Sequence, residues 1–202
     1  MADRRALIVA PLYDGTWLPP PVGSPVLVDR LSTCLKTHGG YSIEVLNGIV
    51  TPELFRAKAA AFFDSPGELL LYFYGHGCVG IGDLGNLATF EAAQFREGVL
   101  MLEVGAMVRK SQATEVVLIY DCCHAGKASV TSEILGETAK GLESSEGRDL
   151  LAACSAHQIG WETSNKEHKQ LGAFSAHVLE GLEGGRFPEA ATAFEDRPWA
   201  SM

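Results

Sequence analysis

Runs of apolar residues alternate with stretches whose apolar positions fall every three or four residues, and this alternation sets the expected elements. Ala6 to Tyr13 reads as a first strand. Asp14 to Pro25, with Pro19, Pro20, Pro21 and Gly23, reads as a rigid loop. From Val26 to His38 the spacing of Val28, Leu31, Cys34 and Leu35 predicts a helix that Gly39 and Gly40 end. Tyr41 to Leu46 alternates as a short strand. Thr51 is positioned to cap a second helix, with Pro52 in its first turn and Leu54, Phe55, Ala59, Phe62 and Phe63 on its buried face. Glu68 to Gly77, ELLLYFYGHG, is a strand covered on both faces, followed by a hairpin marked by Gly80, Gly82 and Gly85. A helix is expected over Glu97 to Lys110. Thr114 to Gly126, TEVVLIYDCCHAG, is a second buried strand that ends in an acid, two thiols and an imidazole. Lys127 to Arg148 is polar and glycine-rich and reads as a surface linker. Asp149 to Ser155 is a further strand, and Phe174, Val178, Leu179 and Leu182 are spaced for a last helix.

Strands alternating with helices imply an α/β fold with a mainly parallel sheet between helical layers. In such sheets chemistry is done at the strands' carboxyl ends. Two strands deliver reactive side chains there: one carries His76 between glycines, the other Cys122, Cys123 and His124. If these strands are parallel neighbours, a thiol and an imidazole meet at one edge.

The 202 residues fit one domain, read as 1–185 with the 127–148 linker inside it and 186–202 as a tail or incomplete final elements. A net charge of −9 without a basic cluster argues against nucleic acid as a partner. No run approaches the roughly 18 apolar residues of a membrane span. Basic residues precede the first apolar run, but Tyr13, Asp14 and Gly15 follow it with no small-residue cleavage site, which favours a strand over a signal peptide. The five cysteines are an odd number, two of them adjacent, and point to reduced cytoplasm.

A thiol at its ordinary pKa is mostly protonated at pH 7, so a nucleophilic cysteine needs a base, and an imidazole can take the proton and return it to a leaving amine. Backbone N–H groups of sharply turned residues such as Gly77 can hold the oxyanion. No carboxamide or carboxylate stands out to orient His76, so a dyad is expected. Cys34, Cys78 and Cys154 read as small buried hydrophobes. A zinc site from Cys122, Cys123 and His124 is disfavoured because adjacent ligands fit poorly around a tetrahedral ion. A phosphatase loop would need Arg where Ser129 stands.

At these residues the chain resembles the caspase-like cysteine peptidases, most of all bacterial caspase-family and metacaspase-like domains. YFYGHG matches the histidine motif and YDCCHAG the nucleophile motif. Weaker matches are Leu18-Pro19, LLAACSA, GWE ending at Glu162, and GAFSAHVLEGLEGG. The resemblance implies a three-layer α/β/α sandwich with a six-stranded sheet. It makes His76 the base, Cys123 the nucleophile, and the N–H groups of Gly77 and Cys123 the oxyanion hole. Asp121 takes the place of the caspase Gln, as in metacaspases, and Glu162 stands near the place of the caspase Arg. An acidic primary pocket follows, with Trp161 beside it, suited to substrates with Arg or Lys at P1. An alternative reading makes Asp121 a cap on its own loop. The linker coincides with the caspase cleavage region, which makes Lys127, Lys140 and Arg148 candidate self-cleavage positions. No acidic cluster has metacaspase calcium-site spacing, so no metal or other cofactor is expected. The tail matches the family's last elements weakly, consistent with a shortened member or with one part of an assembly switched on by a partner. The resemblance also places the chain among regulated signalling or defence proteins. The rival readings are a catalytically silent caspase-like scaffold and a different cysteine hydrolase.

Overall fold

The structure is a computed structural model that describes residues 3–13, 16, 18–21, 23–90, 98–128, 147–155, 157 and 171–183. Its strands are β1 (Arg4–Pro11), β2 (Ser42–Gly48), β3 (Glu68–Tyr74), β4 (Gly77–Val79), β5 (Gly85–Leu87), β6 (Val99–Leu100), β7 (Glu115–Asp121) and β8 (Arg148–Ala152). The helices are α1 (Ser24–Thr37), α2 (Pro52–Phe63), α3 (Met101–Lys110) and α4 (Ala173–Glu183).

The main sheet has the order β2-β1-β3-β7-β8, and every neighbouring pair is parallel. Side chains along a strand alternate between faces, and the packing follows that parity. Leu7, Val9, Leu69, Leu71, Phe73, Val116, Leu118 and Tyr120 pack with Phe55, Phe62 and Val104 of α2 and α3. Ala6, Ile8, Leu70, Tyr72, Tyr74 and Ile119 pack with Leu27, Leu31 and Leu179 of α1 and α4. The result is a three-layer sandwich in which the central strands are buried on both faces. Burying each large apolar side chain contributes roughly 1.5–3 kcal/mol. Thr51 caps α2 as its position in the sequence implies, its Oγ1 accepting from the Leu54 N–H at 3.2 Å.

Two expectations need correction, and two are made more specific. The first helix begins at Ser24, not Val26, because Pro25 fits a helix's first turn, where no N–H is required. The stretch from Glu97 does not enter a helix at once: Val99–Leu100 pairs antiparallel with β5, and α3 starts at Met101. The glycine-marked hairpin is therefore a small antiparallel sheet, β4-β5-β6. The main sheet has five strands among the described residues where six were expected. No helix among those residues is long and apolar enough to cross a membrane.

Candidate active site

Strands β3 and β7 are adjacent and parallel, and their register ends on the pair Tyr74↔Asp121. His76 and Cys123 each lie two residues beyond that pair, so the sheet itself brings the two strand ends together. The Gly75 N–H extends the contact by donating to the Asp121 carbonyl at 3.2 Å. Gly77 lies against the turn after β7 so closely that a Cβ there would overlap the Cys123 carbonyl oxygen and come within 3.0 Å of Cys122 Sγ. At Gly75 a Cβ would stand 2.6 Å from the Tyr13 hydroxyl. The glycines flanking His76 are thus required by close approach on both sides.

His76 is half-buried and held at two points. Its backbone N–H donates to Tyr13 Oη at 3.2 Å, and that hydroxyl donates to the Ala88 carbonyl at 3.0 Å. The Tyr13 ring also lies 5.0 Å from the imidazole, centroid to centroid. Burial raises the Tyr13 pKa well above the ordinary range, so the phenol stays a neutral donor. The ring Nε2 of His76 sits 2.7 Å from the Pro19 carbonyl oxygen. A carbonyl can only accept, so Nε2 carries the proton and Nδ1 is left as the basic nitrogen of the neutral ring. Three consecutive prolines hold that carbonyl, since each fixes its own φ and restricts the residue before it. The orienting partner absent from the list of acidic and amide side chains is therefore a backbone carbonyl.

Strand parity separates the two adjacent thiols. Cys122 continues the face of Leu118 and Tyr120 into the core and is 4% exposed; burial pushes its thiol far above the ordinary cysteine pKa. Cys123 is half-buried on the following turn. His124 adopts a positive φ of 55°, an uncommon conformation for a side chain larger than glycine, and turns the chain back sharply after Cys123. Cys154 then anchors the loop. Its Sγ donates to the Cys122 carbonyl at 3.3 Å, its own carbonyl accepts from the Gly126 N–H at 3.0 Å, and the N–H groups of Ala125 and His124 also bond its sulfur. Cys154 is therefore more than the small hydrophobe expected of it.

Asp121 ends β7 on the α1/α4 side and is 9% exposed. Its Oδ2 accepts a short hydrogen bond from Ser175 Oγ and a longer one, 3.4 Å, from Tyr72 Oη; the Ser175 N–H also bonds the carboxylate. Desolvation pushes its pKa up to about 6, opposed by those donors. No cationic side chain among the described residues pairs with it. The two other residues expected in the primary pocket, Trp161 and Glu162, lie outside the described residues, as does Lys140.

Lys127 and Arg148 are not on a loose segment. Lys127 is 2% exposed, packs its stem against Gly85 and pairs with Asp83. Arg148 opens β8, its guanidinium donating to the carbonyls of Ser111, Ala113, Thr114 and Gly147. The reading of both as ends of an exposed linker is corrected accordingly: packed backbone does not enter a protease cleft without local unfolding. Sequence reasoning also passed over Tyr13, Tyr72 and the Pro19 carbonyl. Ser175 was visible only inside the GAFSAHVLEGL match, and Pro19 only in the proline run and the Leu18-Pro19 match, neither of which pointed to its carbonyl.

Among the described residues no group of three His, Cys, Asp or Glu side chains is placed to hold a metal ion. No protein-family model matches the chain, and no curated protein does. Among solved structures, caspase-1 from Spodoptera frugiperda is similar, with a TM-score of 0.63 at 14% identity over 90% of this chain and 69% of that one. Together with the five-stranded parallel sheet between two helical layers, this likeness makes the fold caspase-like.

Proposed function

We propose that the chain is a cysteine endopeptidase of the metacaspase-like kind that cuts after Arg or Lys. The observation that carries this reading is the β3/β7 register, which sets His76 and Cys123 at equal distances past the last strand pair and presses Gly77 onto the Cys123 carbonyl. In the first step His76 Nδ1 takes the Cys123 thiol proton and the thiolate attacks the scissile carbonyl carbon. The N–H groups of Gly77 and Cys123 stabilise the oxyanion. Collapse breaks the C–N bond, and the imidazolium returns its proton to the leaving amine. A water molecule, deprotonated by His76, then hydrolyses the thioester and frees the thiol. The Pro19 carbonyl fixes the ring's tautomer throughout, the part that a carboxylate plays in other hydrolases.

The basic P1 preference is supported by Asp121, a buried carboxylate that among the described residues is bonded only by neutral donors, because a cation supplied by substrate would offset its desolvation. If the enzyme processes itself, Lys140 is the favoured position, since Lys127 and Arg148 are packed. A cytoplasmic location and control by a partner protein complete the proposal.

Peptides differing only at P1, with Arg, Lys, Asp or Ala before a fluorogenic amide, test the reading. Turnover confined to Arg and Lys and reduced at least ~10³-fold in Cys123→Ala and His76→Ala is expected. Silence on all four peptides, with Cys123 unreactive to a basic electrophile, would instead identify a scaffold.

A further inference from the structure

Gly172 differs from the glycines beside His76 in having no steric reason to lack a side chain. Among the described residues a Cβ there would meet nothing nearer than 3.8 Å: Asp121 Oδ2 at 3.8 Å, Tyr74 Cε2 at 3.8 Å and Asp121 Oδ1 at 3.9 Å. Its φ lies outside the left-handed region, so the backbone would accept an L side chain. What an added carbon would do is cover both oxygens of a buried carboxylate that no cation among the described residues neutralises. Ser175 Oγ and Tyr72 Oη occupy Oδ2, while neither hydroxyl reaches Oδ1, and a carboxylate has about four lone-pair sites to offer. Tyr74 adds an aromatic wall beside the same space, favourable to a cation.

We propose that Gly172 is a specificity-determining position: its missing side chain keeps open a slot, floored by Asp121 and walled by Tyr74, that takes the cationic end of the P1 side chain. Ser175 and Tyr72 position the carboxylate from behind. The inference rests on the basic-P1 reading above and names the residue that admits the cation. The two hydroxyls and the Ser175 N–H fill three of about four lone-pair sites, which leaves room for a single charge-assisted bond, so ammonium and guanidinium both qualify.

Binding to the inactive Cys123→Ala protein isolates the slot from catalysis. Peptides ending in Arg, Lys or Ala amide are titrated calorimetrically into Cys123→Ala and into Cys123→Ala/Gly172→Ala. The added methyl should weaken the Arg and Lys peptides by about 10- to 100-fold, the range for losing a charge-assisted bond, and leave the Ala peptide and the melting temperature unchanged. Asp121→Asn should weaken the same two peptides comparably, and its effect should not add to that of Gly172→Ala, since both act on one contact. Tight Arg and Lys binding that Gly172→Ala leaves intact would overturn the slot while the basic-P1 reading stands. Arg and Lys peptides that bind no better than Ala would overturn both. Should Gly172→Ala fold poorly, Asp121→Asn alone decides, with unchanged cation binding as the contrary result.

Discussion

Lys127 and Asp121 are both buried, both charged and both within four residues of Cys123, yet they are treated differently by the fold. Lys127 lies on the α2/α3 side, packed on Gly85, with its ammonium paired to Asp83, which is 64% exposed. Asp121 lies on the α1/α4 side and among the described residues meets only hydroxyls and an N–H. A buried charge that has its counterion ties two segments together, here the turn that follows β7 and the small sheet that begins at Gly77. A buried charge without one is a standing cost to stability, and such costs concentrate where a ligand supplies the missing partner. On the proposed function, the contrast is that between a structural clamp and a recognition site.

The largest expected effect is on recognition. Asp121→Ala should lower kcat/KM for Arg and Lys substrates by roughly 10³-fold, about 4 kcal/mol of transition-state stabilisation, with little change in the rate at which iodoacetamide, a small uncharged reagent, alkylates Cys123. Equal losses in both quantities would make Asp121 a support of the loop, as its alternative reading as a loop cap implies.

Breaking the clamp should act on stability instead. Asp83→Ala leaves the Lys127 ammonium buried without that counterion and should lower the urea unfolding midpoint. Lys127→Met leaves Asp83 in water and keeps the packed stem, so a smaller loss is expected. The reverse order would show that Asp83, not Lys127, is the buried member in solution.

A third prediction concerns pH. The folded Asp121 pKa, about 6, lies above the ordinary 3.8, so the native state holds this proton more tightly than the unfolded chain does. Stability from this group is therefore present at low pH and is lost as pH rises through that window, roughly 3 kcal/mol in all at 1.36 kcal/mol per unit. Asp121→Asn should be more stable than wild type by up to about 3 kcal/mol at pH 8 and similar to it at pH 4, checked by unfolding at both values. A uniform change across pH would show that the carboxylate is solvated in the folded protein.

Much of this was legible in the chain. The two buried strands announced themselves by unbroken apolar runs, and the motifs at their ends named His76 and Cys123. What the runs did not show was adjacency, which depends on the crossover that makes β3 and β7 neighbours. The motif favours Cys123 over Cys122, and strand parity independently distinguishes the two thiols by burying Cys122 beside Tyr120. The Pro19 carbonyl was invisible because every residue carries a carbonyl, and only three-dimensional placement distinguishes one from the rest. Tyr72 and Ser175 are 103 residues apart and meet only because α4 packs over β3. Pro25 was read as loop although proline opens helices as readily as it breaks them, and Val99–Leu100 was too short for periodicity to register.

The most direct test of the central claim is site mapping by mass spectrometry after incubation with a peptidyl-arginine acyloxymethyl ketone, a reagent that needs both an activated thiol and a site for the cation. The account predicts a single adduct on Cys123, formed slowly or not at all in His76→Ala and in Asp121→Ala. An adduct on Cys122 or Cys154, or a Cys123 adduct formed at the same rate in all three proteins, would contradict it.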